Sequence, residues 1–336
     1  MDDDFLGSLR DTVRDQRDQT VQFLCDLVGE GSLLGQEQGA QDIMAERFSG
    51  MGLEVERFDI NLDDIKDLPG FSPPVIDNYT GRENIVGIHR PTGPAAGRSL
   101  ILNGHIDVVP TGDVHLWTNH PFEATVRDGK VFGRGTADMK AGIVAYCMAF
   151  EALQKLGLQP ASNVIMQSVV EEECTGNGAL ACLARGYRAD AAVIPEPFHQ
   201  QLMIAQLGVM WLSVHLTGKP AHVLDTSAGI NAIESSYAIF EHLREIEEEW
   251  NLPENRHELY CDHAHPVNFN LGKISGGDWA STVPCSTSID VRVGFYPGMS
   301  LESVRQRLED KITDAAKNDP RLKGADVRIE YRGFQA

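Results

Sequence analysis

Short segments that follow apolar runs of this sequence carry side chains of the kind that bind metal ions. They are segments 104–107, 133–140, 171–173 and 195–197, and a fifth, 220–222, ends in a histidine. In open α/β sheets, ligands gather at the carboxyl ends of the strands. Carboxylates that are crowded together cannot all remain ionised unless a cation compensates their charge. The pattern therefore predicts a metal-dependent hydrolase.

The first candidate ligands, His105 and Asp107, are two residues apart at a predicted strand end, so their side chains leave on the same face. The histidine could bind a metal while the aspartate orients an imidazole or reaches the site itself. The alternative is a polar pair in a loop.

Asp138 follows a Gly-rich turn and precedes a predicted helix, where one carboxylate can bridge two ions about 3.5–4 Å apart. Its alternative is a helix N-cap.

Three consecutive glutamates, Glu171, Glu172 and Glu173, follow the apolar run 164–170. Neighbouring residues at a strand end point in opposite directions, so one can bind a metal while the next transfers a proton as a general base. The alternative is a solvated acidic turn.

Glu196 lies between two prolines that fix its backbone, which suits either a ligand or a plain turn.

The composition excludes several classes of protein. The 336-residue chain has 42% hydrophobic and 23% charged residues, and its net charge of −20 argues against nucleic acid as a partner. The sequence shows no secretory signal, no apolar stretch long enough for a membrane span and no CxxC spacing among its six cysteines. We therefore expect a cytoplasmic protein with reduced thiols and no membrane partner.

The first part of the chain alternates between helical and strand patterns. We predict helices at 8–29, 37–50, 137–156 and 177–185, strands at 54–60, 84–89, 99–103, 163–170 and 190–194, and a long loop at 61–82. This order is typical of an α/β fold with a mostly parallel sheet flanked by helices.

The pattern changes after Gln206. We predict strands at 209–217, 267–274, 286–294 and 325–331 and helices at 230–249 and 300–317, which indicates a smaller α+β domain. Two domains are therefore expected, a metal-binding catalytic domain at 1–205 and an inserted lid or dimerisation domain at 206–332.

Taken together, the segments resemble the dinuclear zinc deacylases and peptidases that include acetylornithine deacetylase, succinyl-diaminopimelate desuccinylase, aminoacylase and carboxypeptidase G. The resemblance covers roughly residues 20–330. The matching segments are NGHIDVVP (103–110), Trp117 with Pro121 and Phe122, GKVFGRGTADMKAG (129–142), VEEECTGNG (170–178), IPEP (194–197), GKPAH (218–222), GGD (276–278) and DVR (290–292).

The resemblance implies two zinc ions in each subunit, with cobalt and manganese as alternatives. His105, Asp138 and Glu196 would hold one ion, and Asp138 would bridge to a second ion that Glu173 also holds. Family members supply a further histidine near the chain's end, but this sequence has no histidine after His265. We expect either a segment of a longer protein, which we favour, or a shortened member. A segment would expose apolar surface where the rest packs.

The resemblance also implies roles for residues that do not bind the metals. Glu172 would be the general base and Asp107 would orient the His105 side of the site. In the smaller domain, His222 would stabilise the oxyanion in a neighbouring subunit, Arg292 would pair with the substrate's carboxylate, and Asn268 would assist it. A homodimer through the smaller domain is therefore expected.

The function predicted from these residues is removal of an acyl group from an N-acyl amino acid, as in acetylornithine deacetylase or succinyl-diaminopimelate desuccinylase. Alternatives are a dipeptidase or carboxypeptidase with the same site, and a catalytically impaired homologue that binds a ligand or acts as a scaffold. The cluster His257, Cys261, His263 and His265 is interpreted as a solvated loop. Cys174 has no histidine motif that would support a nucleophile.

Overall fold

The computed structural model describes residues 3–198 and 203–336, which divide into two units. The first unit lies within Met1–Phe71 and Ile76–Gln201, and the second within Ser72–Val75 and Leu202–Ala336. Segment 72–75 was predicted to belong to the catalytic domain at 1–205, and this part of the prediction is wrong. The backbone N–H of Gly333 donates to Pro73 O (2.8 Å) and that of Gln335 donates to Ser72 Oγ (3.1 Å), which holds the segment in the second unit.

Five strands of the first unit form one sheet and two more form a hairpin. The strands are β1 (Glu54–Asp59), β2 (Glu83–His89), β3 (Leu100–His105), β4 (Thr125–Arg127), β5 (Lys130–Phe132), β6 (Val164–Val169) and β7 (Ala191–Val193). The sheet order is β1-β2-β6-β3-β7, and β4 pairs with β5. All six residues of β6 are buried because helices cover both faces of the central strands. The α/β class is therefore confirmed.

The sheet is mixed. β3 runs parallel to β6 and β7, whereas β1 pairs antiparallel with β2, and β2 pairs antiparallel with β6. The antiparallel part arises because β1 and β2 follow each other in the chain and lie side by side. The parallel part is the half of the sheet that ends in the candidate ligands.

Among the described residues, the α-helices of the first unit are α1 (Asp3–Asp15), α2 (Arg17–Gly29), α3 (Gln38–Gly50), α4 (Leu62–Ile65), α5 (Ala141–Lys155) and α6 (Asn177–Ala184). The single helix predicted at 8–29 is wrong, because ψ is 0° at Gln16 and the helix is interrupted there. The predicted loop at 61–82 contains α4, for which the Asn61 side chain accepts a hydrogen bond from Asp63 N as an N-cap.

The second unit is an antiparallel sheet with two long helices. Its elements are β8 (Gly208–Thr217), α7 (Ala232–Asn251), β9 (Phe269–Gly276), β10 (Ser286–Phe295), α8 (Leu301–Asn318) and β11 (Asp326–Glu330), with the strand order β11-β8-β10-β9. Alternate residues of β8 are buried in a core with side chains of α7 and α8. This arrangement is α+β.

Strand β7 forms one edge of the first sheet and presents apolar side chains to solvent. All three of its residues are exposed, and Val193 and Ile194 are 50% and 55% exposed. Exposed apolar side chains are unusual on the edge strand of a sheet whose neighbouring strands are buried.

Within residues 3–198 and 203–336, no helix has both the length and the hydropathy that crossing a bilayer requires.

Candidate metal centre

The sheet order explains why segments distant in sequence meet at one point. β3 lies between β6 and β7 and runs parallel to both, with His105 opposite Val169. The residues that follow β3 therefore lie between the glutamates that follow β6 and Glu196, which follows β7. Parallel strands end at the same edge of a sheet, so the sequence pattern by itself predicts this convergence.

The imidazole of His105 is the centre of the cluster. Its Nε2 atom lies 3.1 Å from Asp138 Oδ1, 3.6 Å from Glu196 Oε1 and 3.8 Å from Glu172 Oε2. Ligand atoms of His105, Asp138 and Glu173 all lie within 4.8 Å of one another. One nitrogen and several carboxylate oxygens thus face a common point, as in sites for divalent cations.

The other ring nitrogen of His105 fixes the orientation of the ring. Nδ1 donates to the backbone carbonyl of Asp107 (2.9 Å), which leaves Nε2 free to face the carboxylates. Burial disfavours protonation of the imidazole, but the carboxylates of Asp107 and Asp138 outweigh it and raise the pKa of His105 to about 11. The carboxylates around the His105 ring therefore favour a positive charge at this position.

The Asp107 carboxylate is buried, with 2% of the residue exposed, and holds two of the three glutamates by their backbones. Its Oδ1 accepts from Glu172 N (3.1 Å) and its Oδ2 accepts from Glu173 N (3.0 Å). The sequence predicted that Asp107 orients the His105 side of the site. In the structure its carbonyl oxygen contacts the histidine, while its carboxylate fixes the segment that carries Glu172.

Asp138 lies in a kinked turn, Thr136–Lys140, whose backbone is not helical at Asp138 and Met139, and it is not an N-cap. Its backbone is extended, and no side chain caps α5. The turn begins at Gly135, whose φ is +82° and where a Cβ would lie 2.5 Å from Val108 Cγ1. The peptide bond between Asp138 and Met139 is cis. The helix predicted at 137–156 therefore begins later, at Ala141.

Lys140 anchors the other end of this turn. Its ammonium group is buried and donates to Leu27 O (2.6 Å) and Glu30 O (2.9 Å) at the end of α2. Burial lowers the pKa of Lys140 to about 7. No role was predicted for Lys140 from its sequence context. Its position inside a Gly-rich motif, directly before an apolar helix, is the signal that could have indicated one.

Two carboxylates of the cluster have a raised pKa, and a bound cation would stabilise their ionised form. Burial, together with the charge of Asp138, raises the pKa of Glu173 to about 7. Burial also raises the pKa of Glu196 to about 7, again with Asp138 as a contributor. A donor set of one imidazole and several destabilised carboxylates fits zinc, cobalt or manganese.

Comparison with known proteins agrees with this geometry. Residues 101–328 match the model of peptidase family M20/M25/M40. The chain belongs to this family. The match covers the two strand ends that carry His105 and Glu172, the Asp138 turn, Glu196 and most of the second unit.

Two curated relatives of the M20 chain are N-formyl-4-amino-5-aminomethyl-2-methylpyrimidine deformylases. The protein from Halalkalibacterium halodurans is 31% identical over 257 residues, which cover 73% of this chain and 58% of the relative. The protein from Bacillus subtilis is 29% identical over 283 residues, which cover 79% and 65%. The chain thus spans about three fifths of the length of these relatives.

Solved structures share the fold at low sequence identity. A dipeptidase from Saccharomyces cerevisiae has a TM-score of 0.73 at 14% identity, covering 98% of this chain and 80% of that one. Human carnosine dipeptidase 1 has a TM-score of 0.69 at 16% identity, covering 98% and 82%. A dinuclear metal-binding M20 peptidase from Bacillus subtilis has a TM-score of 0.54 at 14% identity, covering 96% and 75%. These likenesses establish the fold of the M20 chain.

The remaining predicted site residues lie in the second unit. The backbone O of Asn268 and Nη1 of Arg292 lie 3.3 and 3.8 Å from the position of a Cβ on Gly294, whereas the side-chain amide of Asn268 donates to Pro266 O (3.2 Å). His222 lies beyond the end of β8 where β10 begins, and its Nδ1 accepts from Leu224 N (3.2 Å). His222 is therefore separate from Arg292, which lies towards the other end of β10.

Two other candidates from the sequence, the 257–265 cluster and Cys174, are not part of a metal centre. Among the described residues, the only group of three or more potential ligands that converges is the one at His105. His265 in the 257–265 cluster instead pairs with Glu247 (2.9 Å). The thiol of Cys174 is buried and its pKa lies far above the ordinary value, because burial disfavours the thiolate that a nucleophile requires.

Proposed function

We propose that this chain carries the active site of a metal-dependent amidohydrolase that removes a small acyl group from an amine nitrogen. The observation that carries the proposal is the arrangement around His105 Nε2, where carboxylates of three separate segments meet and Glu172 lies 3.8 Å away. A metal-ligand set next to a further carboxylate is what hydrolysis of an amide by an activated water requires.

The residues that would hold the metals are those the geometry brings together. His105, Asp138 and Glu196 would bind one ion, and Asp138 with Glu173 would bind a second. Divalent ions at such ligands make water acidic enough to supply hydroxide near pH 7 and polarise a carbonyl group. Zinc is the proposed ion, with cobalt and manganese as alternatives.

The chain's own residues would handle the proton and the alignment. The Glu172 carboxylate would take a proton from the water that attacks the acyl carbon, then pass it to the nitrogen as the C–N bond breaks. The products are a carboxylic acid and a free amine. The buried Asp107 carboxylate supports this role because it holds the backbone of Glu172. Burial raises the pKa of Glu172 and so favours retention of the proton between the two steps.

The proposed substrates are small N-acyl amines, with N-acyl amino acids of the kind used by acetylornithine deacetylase or succinyl-diaminopimelate desuccinylase as the first class to test. The curated relatives act, by name, on an N-formyl amine, which supports a short acyl group. Arg292 and Asn268 are proposed to bind a substrate carboxylate, since a guanidinium can pair with a carboxylate through two hydrogen bonds and a side-chain amide can donate a further one.

Metal removal tests this proposal directly. We expect the chain loaded with Zn²⁺, Co²⁺ or Mn²⁺ to hydrolyse N-formyl or N-acetyl amino acids, to lose this activity with a chelator and to regain it when the metal is restored. N-acyl substrates should exceed matched dipeptides in kcat/KM by about tenfold or more. Activity that persists in chelator would contradict the metal dependence, and faster cleavage of dipeptides would favour the dipeptidase alternative.

A homodimer that uses the second unit is part of the proposal. His222 is exposed beside Leu224, which is itself highly exposed, and Trp279 is a further exposed apolar residue of this unit. Exposed apolar side chains of this size are typical of protein interfaces. Sedimentation of the 336-residue chain should therefore give twice the monomer mass, and a monomer at all concentrations would contradict the expectation.

A further inference from the structure

Glu171, the first of the three glutamates, has a backbone conformation that sets the direction of the other two. Its φ is +68°, in the left-handed region that residues with a side chain rarely adopt. Its carbonyl oxygen accepts from Thr175 N (3.1 Å) and Gly176 N (2.9 Å), which closes a tight turn. Glu172 and Glu173 lie within this turn, so its shape determines where their carboxylates point.

The side chain of Glu171 is fully buried and accepts hydrogen bonds from three side chains. Arg82 Nη1 donates to Oε1 (2.9 Å) and Thr175 Oγ1 donates to Oε2 (2.8 Å). The hydroxyl of Tyr79 also donates to Oε2. The carboxylate of Glu171 is therefore fixed from two sides.

Arg82 is the central member of this group and is 5% exposed. Its Nη2 donates to Glu37 Oε1 (2.6 Å) and its Nε donates to Glu37 Oε2 (3.3 Å), a bidentate pair. The guanidinium also lies over the ring of Tyr79, 5.1 Å from its centroid. One arginine thus connects Glu37, before α3, with Glu171, after β6.

Stability alone is a poor explanation for this network. Burying two carboxylates and a guanidinium carries a desolvation cost that packed apolar residues of similar volume would avoid. Such a network does fix geometry, because each member has a defined partner and direction. Here the fixed point is the residue before Glu172. The Asp107 carboxylate holds the next two backbone amides from the other side.

We propose that Arg82 is a positioning residue which, through Glu171, holds the left-handed turn that aims Glu172 and Glu173 at the metal centre. The inference rests on the proposed function and extends it to residues outside the ligand set. Arg82 touches neither metal ligands nor reacting atoms, and it acts through the shape of the 171–176 turn.

The test is the affinity of the chain for Co²⁺, measured by titration calorimetry and by the visible absorption of the bound ion. Arg82→Met should weaken binding about 10–100-fold, the usual effect of removing a group that orients a metal ligand. It should also lower kcat with little change in KM, since Glu172 would be displaced. Arg82→Lys keeps the charge but can reach only one carboxylate, and should restore part of the affinity.

A matched control separates positioning from loss of stability. Arg47→Met makes the same substitution at a partly buried arginine of the same unit, paired with Glu151 (2.7 Å). It should lower the melting temperature and leave Co²⁺ affinity and absorption unchanged. Tyr79→Phe serves if Arg82→Met does not fold, because it removes only one donor to Glu171 and should shift the affinity in the same direction by less.

The outcomes distinguish this inference from the proposed function. Co²⁺ binding equal to wild type in folded Arg82→Met, or in Tyr79→Phe when Arg82→Met does not fold, would overturn the positioning role and leave the metal site intact. An equal loss of affinity in Arg47→Met would attribute the effect to stability and also overturn it. A wild-type chain that binds no Co²⁺ would overturn the proposed function itself.

Discussion

Glu172→Gln is expected to lower kcat by about 10²–10⁴-fold, the usual contribution of a general base. Glutamine has nearly the same shape as glutamate and still fits the turn that Asp107 holds, but its amide cannot accept the proton of the attacking water. Metal binding should persist because the donors of His105, Asp138 and Glu173 converge without Glu172. Steady-state kinetics and the metal content of the same preparation check both parts.

The neighbouring glutamate provides the sharpest comparison for this prediction. Glu173→Gln removes a predicted ligand, so it should lose metal as well as activity, whereas Glu172→Gln should lose activity alone. Glu46→Gln, at an exposed position of α3, should change neither. Full activity in Glu172→Gln would remove Glu172 from the role of base, and equal metal loss in both neighbours would show that the two glutamates are not functionally distinct.

The sequence allowed the centre of the site to be predicted because strand ends obey simple geometry. His105, Glu173 and Glu196 each come at or after an apolar strand, and parallel neighbours in a sheet must end together. Asp138 instead follows the β4–β5 hairpin and is presented by its own turn. The prediction needed only that β3 lie between β6 and β7, which the register of His105 with Val169 confirms. The antiparallel pairing of β1 and β2 was not predicted, but it lies away from the ligands and did not affect them.

The contacts that support the site could not be predicted in the same way. Arg82 is the last residue of a segment, 61–82, that is rich in Asp, Pro and Gly and was predicted to be a loop. Its partners Glu37 and Glu171 are 45 and 89 residues away in the sequence. No periodic pattern connects such residues, because tertiary packing alone brings them together. The same limit applies to Ser72, which lies in a predicted catalytic segment yet bonds to Gln335.

Local conformation was also beyond the reach of patterns in the sequence. Helical spacing continues through Gln16, but α1 ends before this residue and α2 begins after it, with ψ at 0°. At 137–156 the apolar pattern predicts a helix from Ala137, whereas the chain first makes the kinked turn that presents Asp138. Functional sites are where local preference and observed structure are expected to disagree, because the site requires a geometry that regular elements do not supply.

Asp107→Asn is expected to reduce both activity and stability, for one structural reason. The aspartate uses its two oxygens to accept from Glu172 N and Glu173 N, whereas asparagine offers one oxygen and one NH₂ group. One of the two amides would therefore face another donor. An unsatisfied group of this kind costs about 1–3 kcal/mol in the free energy of unfolding, which denaturant titration would measure.

The effect on catalysis should be larger than the effect on folding. The turn can relieve the donor conflict only by moving, and a displacement of about 1 Å at a reacting group costs on the order of 100-fold in rate. We therefore expect kcat to fall by about that factor with KM nearly unchanged. Asp128→Asn, at an exposed left-handed position of the β4–β5 hairpin that asparagine also tolerates, should leave both quantities unaltered. The carboxylate of Asp107 contacts the backbone of the glutamates, whereas its carbonyl oxygen contacts His105 Nδ1. An Asp107→Asn variant with normal kcat would therefore show that the two amides do not need the carboxylate as an acceptor to place Glu172.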